Sequence, residues 1–122
     1  IGDTPEARAK TRRWTRFVDL NIVEPLTNGF RYSEGLPMFE SRMRCLPEAA
    51  AGLKACAQDK LEWLDGQMAD REFVAGDSFT LADVLLFCFL AFGNAVGQPL
   101  NPELKTIGAW FAKVGARPSA AA

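Results

Sequence analysis

The sequence contains no histidine among its 122 residues. This absence excludes the Ser-His and Cys-His pairs that activate nucleophiles in many enzymes, and it removes the imidazole ligands of many protein zinc sites. We therefore expect no metal site in this chain. Any catalysis has to rest on carboxylates, thiols, hydroxyls, arginine, lysine or the single tyrosine, Tyr32, and the residues themselves identify no catalytic group.

Cysteine is scarce: Cys45, Cys56 and Cys88 are the three thiols, and no two of them stand in a CxxC spacing. An odd number of well-separated cysteines does not indicate a disulfide framework. The simplest interpretation is a reducing, cytoplasmic compartment. Cys88 lies inside the most apolar stretch of the sequence, so we predict that it is an inert thiol in the core.

A long apolar run and a strong net charge are also missing. The most apolar stretch is residues 84–92, whereas a membrane-spanning helix needs about 20 residues, so we expect no membrane association. The 14 basic and 15 acidic residues give a net charge of −1, which argues against nucleic acid as a partner. The basic residues among positions 8–16 lie on more than one helical face. We interpret them as a solvated surface or as a surface that pairs with another domain or subunit.

The composition that remains is typical of a globular protein, with 48% hydrophobic and 24% charged residues. The length fits a single domain over residues 1–122. The first residue is Ile1 rather than Met, as expected for a fragment of a longer protein, although processing or tag removal leaves the same trace.

Apolar residues recur at helical spacing, and the longest series steps by 4, 3, 4, 4, 3 and 4 residues. Its members are Leu46, Ala50, Leu53, Ala57, Leu61, Leu64 and Met68. This period predicts one long helix over residues 47–69, because strands repeat every two residues. No stretch alternates apolar and polar residues for long enough to indicate a strand. We therefore predict an all-α bundle of about five to seven helices.

Proline residues indicate the starts and a break of the other helices. Thr4-Pro5 is a helix start, with a capping hydroxyl before a proline in the first position. Pro25 is expected to kink or end this first helix near residue 24, with a second piece reaching about residue 32. Asn101-Pro102 predicts the start of the last helix, which Gly115 is expected to end.

The sharpest local pattern surrounds Thr80. The Thr80 hydroxyl is placed to accept from the amide of Asp83, and the Asp83 carboxylate is placed to accept from the amide of Thr80, which makes a capping box. Phe79 and Val84 flank it as a hydrophobic staple. Gly76 lies in the turn before it, and the helix that begins here is apolar nearly all round, as in the centre of a bundle.

Residues 73–83 resemble the capping-box and staple motif that opens the central helix of the glutathione transferase C-terminal domain. The matching positions are Gly76, Phe79, Thr80, Ala82 and Asp83. The end of the chain, from Trp110 to Arg117-Pro118, is similar to the late helix of that family. The order of helices also fits over essentially the whole chain.

The resemblance implies a division of labour between two domains. Family members carry a thioredoxin-like N-terminal domain that binds glutathione, the co-substrate, and holds the catalytic Ser, Tyr or Cys; that domain is not in this chain. The helical domain forms the wall of the pocket for a small hydrophobic electrophile. It also forms much of a homodimer interface, mainly with its first two helices. This chain alone is then expected to be inactive.

Four residues are candidates for the electrophile pocket. Trp14, Phe17 and Asn21 lie on neighbouring turns of the first helix, which borders that pocket in the family, and Tyr32 lies near the end of its second piece. The alternative interpretation is that Trp14 and Phe17 are core or domain-interface residues and that Tyr32 is a surface residue.

Two other functions remain open. The same helical domain occurs in non-catalytic protein-interaction modules of translation factors and related assemblies. A stand-alone helical scaffold that binds apolar ligands between its helices is a third interpretation.

Overall fold

The computed structural model describes residues 1–121 and is helical throughout its regular elements. The α-helices are α1 (Pro5–Val18), α2 (Glu24–Arg31), α3 (Leu36–Phe39), α4 (Ala50–Gln67), α5 (Leu81–Ala95) and α6 (Lys105–Gly115). A π-helix, Asp19–Val23, joins α1 to α2, and short 3₁₀ turns occupy Pro47–Ala49 and Pro118–Ala121. The predicted all-α bundle is confirmed, and the six α-helices of the described residues fall within the predicted range.

The first helix starts as predicted and then continues through its proline. Thr4 Oγ1 accepts from the amide of Ala7 at 3.1 Å, with Pro5 in the first position. Pro25 has no N–H to donate and its ring crowds the preceding turn. A π-helix before Pro25 accommodates the proline ring and the missing donor. In it the amide of Glu24 donates to the carbonyl of Asp19. The irregularity therefore begins five residues before the predicted break, and the segment stays helical to Arg31.

The long helix predicted over residues 47–69 is present as the 3₁₀ turn Pro47–Ala49 followed by α4. Its predicted stripe is largely buried, with Ala57, Leu61, Leu64 and Met68 each at most 1% exposed. Helix α4 contacts α2, the π-helix and α6.

The last helix begins at Lys105, later than Asn101-Pro102 suggested. Asn101 Oδ1 accepts from the amide of Glu103 at 2.9 Å, so this asparagine closes a turn before the helix. The cap of α6 comes from another helix: Asp65 Oδ1 on α4 accepts from the amide of Ile107 at 2.8 Å.

The core lies where α1, α4, α5 and α6 meet. Its fully buried members include Val18, Ile22, Leu61, Leu64, Leu86 and Ile107. Within residues 1–121, no helix combines the length and hydrophobicity needed to cross a bilayer.

The prediction that α5 is buried nearly all round is wrong on one side. Leu81 and Val84 are 50% and 41% exposed, and Cys88 is exposed as well, not an inert core thiol. Two residues along an α-helix turn the side-chain direction by about 200°. Cys88 therefore points away from Leu86, which is fully buried.

Candidate functional site

Asp83 is the most connected polar side chain in the bundle, and it is fully buried. Its Oδ2 accepts from the amide of Thr80 at 2.8 Å, and the Thr80 hydroxyl accepts from the amide of Ala82 at 3.3 Å. Its Oδ1 accepts from the amide of Val74 at 3.0 Å and from Trp110 Nε1 at 2.9 Å. One carboxylate thus holds the start of α5, the turn before it and α6 together.

The turn before α5 presents the Val74 amide to this carboxylate. The amide of Phe73 donates to the carbonyl of Gly76 at 2.8 Å, and the amide of Gly76 donates back to Phe73 at 3.2 Å. Gly76 has φ 144°, a conformation that other residues rarely adopt. A glycine is therefore required here by the backbone, which agrees with its position in the sequence motif.

The last turn of α6 and Arg117, which follows the helix, pack against this turn. Lys113 Nζ donates to the carbonyl of Glu72 at 2.9 Å and lies 4.3 Å from the centre of the Phe73 ring. The guanidinium carbon of Arg117 lies 3.7 Å from the centre of the Phe79 ring. The two phenylalanine rings meet edge to face at 5.7 Å. Phe79 thus packs against Phe73 and Arg117, and Val84, its predicted staple partner, is 41% exposed.

The predicted pocket residues Trp14 and Phe17 lie together in an aromatic cluster with Trp63 of α4. The ring centroids of Trp14 and Phe17 are 5.6 Å apart, and Trp63 lies 6.2 Å from Trp14 and 5.0 Å from Phe17. Trp14 is 5% exposed, but Trp63 is 43% exposed, so the cluster reaches the surface. Sequence reasoning missed Trp63, because its position in α4 lies outside the apolar stripe.

Arginines cover the buried end of the aromatic cluster. The guanidinium carbons of Arg13 and Arg71 lie 3.9 Å and 4.7 Å from the centre of the Trp14 ring. A cation over an indole face is attracted by the ring quadrupole. Trp14 is therefore held in place, and Phe17 and Trp63 provide the accessible aromatic surface.

Asn21 lies one turn beyond Phe17, with its Nδ2 donating to the Phe17 carbonyl at 3.1 Å. It lines a cleft of about 320 Å³ between the π-helix, α2 and α4. The other residues of this cleft are Leu20, Glu24, Pro25, Asn28, Leu53, Cys56 and Lys60. The chain thus places Asn21 beside a cleft whose walls mix apolar and polar groups.

Tyr32 stands apart from the other three candidates. It is the residue that ends α2, and it is half-buried. It lies eleven positions after Asn21, which is about 16 Å along a helix at 1.5 Å per residue. The structure therefore brings Trp14, Phe17 and Asn21 into one neighbourhood and leaves Tyr32 at the far end of α2.

A larger cleft, of about 640 Å³, lies between the start of α1 and the turn at residues 75–80. Asp3, Glu6, Lys10 and Asp77 are among its lining residues, together with Thr80. None of the four predicted pocket residues lines it. Across residues 1–121, no group of three or more His, Cys, Asp or Glu side chains is arranged to hold a metal ion.

An ion pair links the turn after α2 to α4. Lys54 Nζ lies 2.9 Å and 2.8 Å from the two carboxylate oxygens of Glu34, and the Ser33 hydroxyl also donates to this carboxylate. These hydrogen bonds, first that of Lys54, lower the pKa of Glu34 from 4.5 to about 2. Gly29 makes room for Lys54, because a Cβ there would lie 2.8 Å from Lys54 Cγ.

These features define a class of protein: an all-helical domain in which a buried, capped helix is tied through one aspartate to a late tryptophan-bearing helix. Residues 47–118 match the family described as "Glutathione S-transferase, C-terminal domain". The chain belongs to this family, and the family resemblance predicted from residues 73–83 is confirmed.

Individual known proteins are similar to this chain over nearly its whole length. Glutathione S-transferase 2 of Saccharomyces cerevisiae is 25% identical over 97% of this chain, and elongation factor 1-gamma of Sus scrofa is 30% identical over 85% of it. A glutathione S-transferase domain-containing protein of Marinobacter aquaeolei superposes with a TM-score of 0.88 at 29% identity, over 97% of this chain and 58% of that one. Gtt2 of Saccharomyces cerevisiae also gives 0.88, at 26% identity and over 97% and 57% of the two chains.

The chain spans only part of its curated relatives. It covers 51% of the yeast glutathione S-transferase and 22% of the pig elongation factor. The activity of either whole protein therefore does not transfer to this chain directly.

Proposed function

We propose that residues 1–122 form one helical domain of a cytoplasmic glutathione transferase, with the electrophile pocket along α1 and a share of the homodimer interface. The observation that carries this proposal is the similarity in fold and sequence to glutathione S-transferase proteins over 97% of the chain. A thioredoxin-like domain of the same protein is the partner that this proposal requires.

In this proposal glutathione is a co-substrate held mainly by the thioredoxin-like domain, where its sulfur reacts as a thiolate. This chain supplies no catalytic group. It contributes an apolar surface that holds the second substrate near the sulfur, and small hydrophobic electrophiles bind well against aromatic side chains. Phe17 and Trp63 are the accessible rings of the cluster, and Asn21 adds a polar group one turn away.

A kinetic comparison tests the pocket assignment. The complete reading frame that contains residues 1–122 is assayed for conjugation of glutathione to a chromogenic aryl halide. Phe17→Ala should raise the KM for the aryl halide and leave the KM for glutathione unchanged. Phe111→Ala on α6 is a matched control, because this half-buried ring stacks on Phe87 in another part of the bundle. Equal effects of both variants on the aryl halide KM would reject the assignment.

A non-catalytic interaction module is the second candidate, and the elongation factor relatives support it. Seven such proteins, all named elongation factor 1-gamma, are 30–32% identical over 85% of this chain. This identity exceeds the 25% of the yeast glutathione S-transferase. A complete protein without conjugating activity and without affinity for glutathione would favour the interaction module.

A further inference from the structure

Two arginines from different parts of the chain converge on the indole ring of Trp14. Arg13 precedes Trp14 on α1, and Arg71 lies in the segment between α4 and α5. Their guanidinium carbons lie 3.9 Å and 4.7 Å from the centre of the ring. The sum of these distances is the largest possible separation of the two carbons, so one oxyanion of a ligand can reach both groups. We call Arg13 and Arg71 the arginine pair.

Neither member of the arginine pair has a carboxylate partner in the part of the chain that the structure describes. The ion pairs among residues 1–121 involve other cations, namely Arg16, Lys54 and Lys113. Arg71 donates one hydrogen bond, to the carbonyl of Val74 at 3.2 Å. A guanidinium has five N–H groups, and Arg13 is exposed whereas Arg71 is half-buried. Most donors of the arginine pair are therefore available to a ligand.

The two positive charges of the arginine pair also repel each other. This repulsion is stronger beside the indole than in bulk water, because the buried side of the ring excludes water that would screen the charges. The nearest carboxylate in sequence, that of Glu72, lies 3.7 Å from Lys113 instead. An oxyanion between the two guanidinium groups would offset the repulsion and accept charge-assisted hydrogen bonds from both.

The arginine pair adjoins the accessible aromatic surface of the chain. The ring of Trp14, which the arginines cover, lies 5.6 Å from that of Phe17 and 6.2 Å from that of Trp63. A bicyclic aryl ligand spans distances of this order. A ligand that lies against Phe17 and Trp63 can therefore place an anionic substituent at the arginine pair.

The two clefts described above suit an anion less well. The larger cleft has three carboxylates in its lining, those of Asp3, Glu6 and Asp77, and one lysine. The smaller cleft contains Lys60 together with Glu24. Carboxylates repel an oxyanion and compete with it for the cation. The arginine pair is thus the site that favours a negative charge.

We propose that Arg13 and Arg71 bind a carboxylate, sulfonate or phosphate group of a ligand whose aromatic part lies against Phe17 and Trp63. The inference rests on the electrophile pocket of the proposed function and names its substrate class, which is aryl electrophiles with an anionic substituent. Guanidinium groups bind such oxyanions through parallel hydrogen bonds. A neutral amide of the same shape lacks the charge, so the site discriminates against it.

A matched pair of ligands measures this discrimination in the 122-residue chain. Naphthalenesulfonate carries the anion, and naphthalenesulfonamide has nearly the same shape without a charge at neutral pH. Nuclear magnetic resonance follows the indole N–H signals during each titration. We expect the sulfonate to bind about tenfold more tightly than the sulfonamide, with shifts at Trp14 and Trp63. The Trp110 signal should stay in place, because its N–H is buried and bonded to Asp83.

Arginine variants locate the site. Arg13→Gln and Arg71→Gln should each lower the affinity for the sulfonate about tenfold and leave the affinity for the sulfonamide unchanged. Arg44→Gln is the control, because it removes the same charge from an exposed position between α3 and α4; it should change neither affinity. Arg71 also bonds to Val74, so circular dichroism verifies the helix content, and the exposed Arg13 provides the test if Arg71→Gln does not fold.

Three results would overturn the inference. The first is a native chain that does not bind the sulfonate, or that binds both ligands with equal affinity. The second is an equal loss of affinity for both ligands in Arg13→Gln, because this is the result expected if Arg13 only holds Trp14 in place. The third is a loss of sulfonate affinity in Arg44→Gln as large as in Arg13→Gln, which would mean that no local site attracts the anion.

Conjugation by the complete protein tests the substrate class separately, with chloronitrobenzoate and chloronitrobenzamide as electrophiles. The glutathione thiolate attacks the ring carbon that carries chlorine, a C–S bond forms, and chloride leaves with the electron pair of the C–Cl bond. Arg13→Gln should raise the KM for the benzoate about tenfold and leave the KM for the benzamide unchanged. Equal effects on both KM values would reject the inference and keep the transferase. Charge-selective binding by the chain, without conjugation by the complete protein, would keep the oxyanion site and reject the transferase.

Discussion

Trp110 Nε1 donates a 2.9 Å hydrogen bond to Asp83 Oδ1, and both side chains are buried. This bond joins α6 to the start of α5 across 27 residues of sequence. Trp110→Phe removes the donor and leaves a small void, so the free energy of unfolding should fall by about 1–3 kcal/mol. Urea denaturation measures the change. Trp63→Phe is the control at an exposed indole, and a loss as large in that variant would argue against the buried hydrogen bond.

Asp83 should contribute more to the free energy of unfolding than Thr80, the cap residue with which it pairs. Thr80→Ala removes the hydroxyl cap and should lower the unfolding free energy by about 1 kcal/mol. Asp83→Ala removes the acceptor of the Val74, Thr80 and Trp110 donors, and unsatisfied buried groups cost about 1–3 kcal/mol each. Thermal or urea unfolding should therefore rank Asp83→Ala well above Thr80→Ala. Equal losses would mean that Asp83 acts as a cap alone.

Asp65 is predicted to stabilise a helix to which it does not belong. Its carboxylate caps the amide of Ile107 at the start of α6, and Asp65→Ala should cost about 1 kcal/mol, as for an ordinary cap. Asp70→Ala, at an exposed position just after α4, should change the unfolding free energy by less than half of that. Hydrogen exchange of the Ile107 amide provides a local measurement, and an unchanged exchange rate in Asp65→Ala would contradict the assignment.

The Glu34–Lys54 pair should make stability depend on acidity in a defined window. Since the pKa of Glu34 is lowered from 4.5 to about 2 in the folded chain, its contribution is complete above about pH 4.5 and disappears as the pH falls toward 2. The Glu34 side chain is 44% exposed, so solvent limits the contribution to less than about 1 kcal/mol. Glu34→Gln should flatten the dependence of unfolding free energy on pH in that window. Glu40→Gln, at an exposed position, should leave the pH dependence of the unfolding free energy as it is in the native chain. Identical pH dependences for the two variants would contradict the Glu34–Lys54 pairing.

The parts of the fold that depend on local chemistry could be predicted from the sequence. Helical spacing identified α4, because burial of Ala57, Leu61 and Leu64 follows directly from the period of the helix. The Thr4-Pro5 pair marked the start of α1, because a hydroxyl cap and a proline without a donor suit those positions.

The parts that depend on tertiary contacts could not be predicted. Asp65 caps a helix 42 residues further along the chain, and no local pattern reports that contact. Cys88 was misplaced because an apolar helix has no polar side by which to judge its orientation. Two members of the aromatic cluster, Trp14 and Phe17, could be identified from the sequence. Trp63 could not, because it lies beside them only once α1 and α4 have packed.

The most direct test of the transferase proposal is a calorimetric titration of glutathione into the complete protein that contains residues 1–122, with the isolated chain as the control. We predict binding by the complete protein and none by the chain alone, because the proposed co-substrate site belongs to the thioredoxin-like domain. Binding by neither would contradict the transferase proposal and favour the interaction module. Binding by the isolated chain would contradict the proposed division of labour between the two domains.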